Sequence, residues 1–172
     1  MDEDMLALRA ELRALTDRVE ALEKQPAAPG PLSEETFWAL TGLQARLDDD
    51  PSTAEGAVML VGALTLPTGA PVSWQQSAGT AGLLETEWSD QASVFAALGH
   101  PVRIEILRQV LLGRHTTADL AALESLGTTG QLHHHLRPLM AAGWLRQSGR
   151  GSYEVPATRV VPLLACLTGA QR

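Results

Sequence analysis

The stretch from Val94 to Val155 constrains this chain most, because its breakers cut it into short helices followed by two short strands. Asp90 is expected to cap a first helix that runs through Leu98. Gly99-His100-Pro101 stops it, and Pro101 suits the first position of the next helix. Gly113 ends that second helix after about Leu112, and Thr116 or Thr117 caps a third. Ser125-Leu126-Gly127 reads as a sharp turn whose glycine supplies a backbone conformation that other residues resist. A fourth helix begins at Thr128 or Thr129. Gly143–Gln147 and Ser152–Val155 then read as strands around Ser148-Gly149-Arg150-Gly151.

Helical spacing assigns the inward residues. Val94, Phe95 and Leu98 face in from the first helix, Val102, Ile106 and Val110 from the second, and Leu120 and Leu123 from the third. At 100° per residue, Leu132, Leu136, Leu139 and Met140 share one face of the fourth helix. Gly130, Gln131, His134 and Arg137 point the other way, with His133 and His135 at the flanks. Pro138 removes the hydrogen bond to residue 134 and is expected to kink the helix end. A closing helix near residues 158–167 carries Val160, Val161, Leu163, Leu164 and Leu167. So apolar a surface is expected to form a two-fold subunit interface through Val160 and Leu164.

The residues before this stretch read differently. Met5, Leu8, Leu12, Leu15, Val19 and Leu22 alternate spacings of three and four, the a and d positions of a coiled coil. Asp4 would meet Arg9 of a partner, and Arg18 would meet Glu23, which favours a parallel homodimer. The same stripe also fits an amphipathic helix packed on its own domain. Pro26, Pro29 and Pro31 make residues 26–32 a linker. Ser33 is expected to cap a helix from Glu34 to Leu47, with Phe37, Leu40, Leu43 and Leu47 as its stripe. Residues 57–75 predict a β-hairpin turning at Thr68-Gly69-Ala70, and Ser77–Gly82 a flexible connection. A lone hairpin is not stable in water, so this one must pack on the 34–47 helix or on a second subunit.

Charge separates the two halves. Residues 1–90 hold 5 Lys+Arg and 16 Asp+Glu; residues 91–172 hold 8 Arg, 4 Asp+Glu and all 5 His. An acidic half joined to a basic one is the asymmetry of a chain with one module facing nucleic acid.

Other chemistries find little support. Three consecutive histidines on a helix diverge by about 100° each and cannot share a metal. Asp48-Asp49-Asp50 before Pro51 reads as a solvated turn rather than a calcium loop. Cys166 is the one cysteine, which excludes an internal disulfide, and its apolar helix predicts a buried thiol. There is no glycine-rich phosphate loop and no spaced carboxylate pair, so neither an enzyme nor a cofactor is expected. No apolar run reaches the roughly 18 residues of a membrane span, and a cytoplasmic, nucleoid-associated protein is expected.

The stretch resembles the ArsR-type winged helix-turn-helix regulators over roughly residues 92–168. Leu98–Leu107 (LGHPVRIEIL), Thr117-Ala118-Asp119-Leu120, His134-His135-Leu136-Arg137 and Ala142-Gly143-Trp144-Leu145 carry the resemblance. It implies a dimer formed by the first and last helices, with two recognition helices in major grooves and flanking wings. Thr116 and Ala118 stand where metal-sensing members carry cysteines, and residues 157–172 lack the His and carboxylate ligands of others. Both metal sites are therefore expected to be absent, leaving any small-molecule or protein effector unidentified.

The expected fold is mainly α with small β. A coiled-coil helix at 1–25 and the 26–32 linker precede a helix-plus-hairpin region at 33–88 and a winged helix-turn-helix domain at 89–172. The expected function is a dimeric, sequence-specific transcriptional regulator, most simply a repressor, binding double-stranded DNA. Gln131, His134 and Arg137 are expected to read bases. Thr116, Thr128, Thr129 and Arg150 are expected to hold phosphates, and Leu8, Leu12, Leu15, Val19 and Leu22 to dimerise. The alternatives are an architectural protein that bridges duplexes and a winged helix used as a protein-interaction module.

Overall fold

The computed structural model describes residues 11–16, 18 and 36–171, which divide into two compact units meeting between Ala45 and Arg46. The described residues are mainly helical, with two small antiparallel sheets.

In the first unit, residues 11–16 are helical (α1), and Leu12 and Leu15 are 62% and 63% exposed. Leu8, Val19 and Leu22, the linker and Ser33 lie outside the described residues. A second helix, α2, covers Trp38–Gln44. It is shorter than expected: Leu47 belongs to a 3-10 turn, Leu47–Asp49.

The second unit, which includes the Leu47–Asp49 turn, continues with a capped turn. Asp50 accepts the Ser52 backbone N–H through Oδ1 at 2.8 Å and so caps the 3-10 turn Pro51–Thr53. The acidic triplet thus ends in a cap. Strands β1 (Ala57–Thr65) and β2 (Pro71–Gly79) follow as the expected hairpin, with Leu64 opposite Val72 and Gly62 opposite Trp74. The expected flexible connection is instead ordered. Ser77–Gly79 continue β2, and Thr80–Glu85 form a helix, α3.

Helices α4 (Ala92–Leu98), α5 (Pro101–Leu111), α6 (Thr117–Ala121) and α7 (Thr129–Ala141) come next, then strands β3 (Arg146–Gly149) and β4 (Ser152–Glu154), then helix α8 (Ala157–Gly169). Asp90 does not cap α4; it lies in the 3-10 turn Trp88–Gln91 that leads into the helix. Thr116 and Thr128 cap α6 and α7, each in a reciprocal capping box, with Asp119 and Gln131. Gly127 has φ +78° and ψ −157°, a region essentially reserved for glycine. Helix α7 runs through Pro138 to Ala141 without ending there.

The main core gathers Ile106, Leu107 and Val110 of α5, Leu120 of α6, and Leu132, Leu136 and Leu139 of α7, closed by Trp144, Tyr153 and Leu163. The Trp144 indole N–H donates to the Val94 carbonyl at 2.9 Å, tying α4 to the segment after α7. That orientation turns Phe95 outward, 62% exposed, where sequence spacing placed it inside. Ala97 takes the buried position.

A second core explains the hairpin. Val72, Val160 and Val161 are buried together, with Leu64, Trp74 and Leu164 packed around them. The hairpin therefore rests on α8 of its own chain. It belongs to the same compact unit as α4–α8, so no boundary falls between residues 88 and 89. This also corrects the expected interface: Val160 is only 1% exposed, and Leu164 packs beside it, so both are used within the chain. The contact depends on Gly62. A Cβ there would lie 2.8 Å from both Val161 methyls. Gly62→Ala is expected to destabilise the protein by about 1–3 kcal/mol through overpacking. Urea unfolding of Gly62→Ala alone and with Val161→Ala checks this: the second change should recover part of the loss, because the two sites touch.

Candidate functional site

The candidate residues fall into two groups, set by α7 and by the corner between α6 and the β3–β4 hairpin. Helix α7 buries Leu132, Leu136 and Leu139 completely. That fixes its roll and leaves Thr129, Gly130, Gln131, His133, His134 and Arg137 exposed, with Thr128 exposed at its cap. The expected division of the helix holds, with one addition: His133 as well as His134 is exposed, while His135 is half-buried.

Gln131 is already engaged. Its Oε1 accepts from the Thr128 backbone N–H at 2.8 Å and from the Thr128 hydroxyl at 3.1 Å. Thr128 Oγ1 in turn accepts the Gln131 backbone N–H at 3.4 Å. A bidentate contact of Gln131 with a base would need that oxygen released, whereas its Nε2 is the donor left over. The T-x-x-Q spacing carried this signal in the sequence. His134 and Arg137 have no such competing role.

The second group is tied together by main chain. Thr117 donates its N–H and its hydroxyl to the Gly151 carbonyl at 2.8 and 3.1 Å. Thr116 forms an isolated bridge with Ser152, and Tyr153 N–H donates to the His115 carbonyl at 2.8 Å. His115 Nδ1 lies 3.2 Å from the Tyr153 carbonyl, which requires the ring to donate. Residues 115–117 thus line the β3–β4 hairpin, and the exposed turn with Arg150 is held beside the N-terminus of α6. Thr116 and Arg150 come to one corner, while Thr128, Thr129, Gln131, His134 and Arg137 lie along one helix.

Electrostatics stabilise the frame. Hydrogen bonds from Arg108 and then Gln109 hold the Glu105 carboxyl down at about 2. The Arg108 nitrogens reach its oxygens at 2.9 and 2.8 Å, and Gln109 at 2.6 Å. The Asp119 carboxyl is lowered by its bonds to Thr116, part of the α6 capping box. Arg146 pairs with Glu154 across β3 and β4. Among the described residues, no three His, Cys, Asp or Glu side chains are grouped to hold a metal.

Two features were not anticipated. His100 and His135 are in tilted ring contact, with centroids 4.5 Å apart and planes 46° from parallel, joining the start of α5 to α7. An apolar cleft of about 480 Å³ opens between α4, α5 and α8, lined by Phe95, Leu98, Ile104, Leu163, Cys166 and Leu167. Cys166 is exposed there, contrary to the buried thiol expected. No described helix is long and apolar enough to cross a membrane.

Comparison with known proteins adds no relative: no family model matches the chain, and no curated protein or solved structure matches it.

Proposed function

We propose that residues 92–169 form a winged helix-turn-helix DNA-binding domain of the ArsR type, and that the protein is a sequence-specific transcriptional regulator. The observation that carries this reading is the exposed face of α7. It presents His134, Arg137 and the free amide of Gln131 from a helix whose roll is locked by three buried leucines. Helix α6 before it and the β3–β4 hairpin after it stand in the order such a domain requires. Within this reading, α7 enters a major groove and Arg150, on its tethered turn, meets a phosphate or the minor groove. Thr116, Thr128 and Thr129 are the helix-start groups available to phosphates.

The reading includes a homodimer. Its interface is the α4–α8 surface, where Phe95 and Leu167 are 62% and 39% exposed, not the face of α8 that carries Val160. A two-fold pair would present two α7 helices to successive major grooves. Selection of binders from a random 30-base-pair duplex pool tests this. An enriched inverted repeat, with half-sites about 10 base pairs apart centre to centre or a multiple of that, is expected. Binding at low salt without any enriched sequence would overturn sequence-specific regulation and favour a bridging protein.

A further inference from the structure

We propose that the cleft between the β1–β2 hairpin and the base of the β3–β4 hairpin binds a small uncharged molecule with an apolar body and one hydroxyl donor, of the alkylphenol class. The binding chemistry stands without DNA; only its use as a control on duplex binding rests on the proposed function. The cleft holds about 280 Å³, at the small end of the roughly 300–1,000 Å³ usual for ligand sites. It opens at the seam of the two cores. Val110 comes to it from the main core, and Val72 and Val160 from the second. Leu66 and Leu111 extend the apolar wall. The hairpin turn is fixed by the Leu66 N–H on the Ala70 carbonyl at 2.9 Å and the Gly69 N–H on the Leu66 carbonyl at 2.8 Å. Its Thr68 closes onto the loop after α5, where a Cβ on Gly113 would meet the Thr68 methyl at 3.3 Å. A pre-formed pocket spares a ligand the ordering of its walls.

The polar groups decide the ligand class. His115, Arg146 and Glu154 line the same cleft. Arg146 and Glu154 are paired with each other across β3 and β4, so together they draw an ion of neither sign. His115 commits Nδ1 as a donor to the Tyr153 carbonyl at 3.2 Å. The nitrogen left over is Nε2, which in the uncharged ring is an acceptor. A neutral hydroxyl supplies the matching donor, and an alkylated ring covers the valines and leucines. The position also bears on Arg150. Arg146 and Glu154 are the register pair farthest from the β3–β4 turn, and the Tyr153 N–H is bonded to the His115 carbonyl at 2.8 Å. A molecule seated here touches the base of the hairpin whose turn carries Arg150.

The test uses the full chain and para-ethylphenol, followed by amide and methyl NMR. A Kd of about 1 mM or tighter is expected for so small a probe. Shifts are expected at Val72, Leu111 and Val160, and not at Phe95 and Leu167 in the α4–α8 cleft. Two relatives of the probe, para-ethylanisole, whose oxygen cannot donate, and the anion para-ethylbenzoate, are each expected to bind at least about fivefold more weakly. His115→Phe should remove the preference for the phenol over the anisole and leave anisole binding unchanged. Ala157→Leu and Ala70→Leu, at exposed positions on the edge of the cleft, should each fill it and weaken the phenol at least about tenfold while the thermal midpoint stays in place. Shifts confined to the α4–α8 cleft, or full binding by both leucine variants, would overturn the site. Equal binding of phenol and anisole would overturn the hydroxyl contact. Affinity for the selected duplex is then measured at saturating phenol, where a change of at least about fivefold, absent in Ala157→Leu, supports control of the β3–β4 hairpin. Phenol binding with unchanged duplex affinity supports the site and overturns that control. Phenol binding by a protein that binds no duplex supports the site and overturns the proposed function instead.

Discussion

Replacing Gly79 by alanine is expected to cost at least about 3 kcal/mol of stability, the upper part of the range for overpacking. The backbone of Gly79 has φ −65°, so the effect owes nothing to conformational freedom. It is steric: a Cβ would lie 1.8 Å from the Ser52 carbonyl oxygen and 2.8 Å from its carbon. Neither neighbour is a flexible side-chain end. Ser52 belongs to the turn capped by Asp50, and Thr53 fastens that turn by donating its hydroxyl to the Leu47 carbonyl at 2.7 Å. Thr80 N–H is bonded to the Gly56 carbonyl at 2.9 Å immediately beside the contact. Relief requires the hairpin base and the turn to separate, with loss of these bonds. Urea unfolding measures the cost, and a loss below about 0.5 kcal/mol would show that the two segments do not touch. Serine should be no better tolerated, because the clash is made by the Cβ.

The parts legible in the sequence were those set by local pattern. Leu132, Leu136 and Leu139 follow helical spacing, and they alone fix which side of α7 is free. Gly127 stands where the chain needs a glycine-only backbone, and Gly-Arg-Gly marks the β3–β4 turn. The parts that escaped depend on contacts distant in sequence. Nothing near Gly62 announces that Val161 will lie against it, so the sequence assigns the apolar surface of α8 to a subunit interface although the hairpin covers one face of it. Phe95 was placed inward because local spacing cannot see Trp144 claiming the Val94 carbonyl. Once Val160 is assigned to the hairpin, the apolar surface left on α8 is the side of Cys166 and Leu167, which changes where a partner must sit.

The second large effect concerns α7 and separates recognition from folding. His134→Ala with Arg137→Ala is expected to weaken binding to the selected duplex by about 2–6 kcal/mol, at about 1–3 per lost base contact. That is roughly a thirtyfold to twenty-thousandfold loss. Both side chains are exposed, and neither takes part in the capping box or the leucine face. The thermal midpoint should therefore move little. Gln131→Ala is expected to behave differently. It removes half of the α7 capping box, a change on the order of 0.5–2 kcal/mol in stability, so weaker binding alone would not identify it as a base reader. Fluorescence anisotropy titrations with the selected duplex and with a scrambled one, beside thermal melts of each variant, decide the matter. If His134 and Arg137 read bases, the double variant loses affinity mainly for the selected duplex and keeps its melting temperature. Equal losses on both duplexes would assign the pair to phosphates, and a loss under threefold on either would remove this face of α7 from the interface.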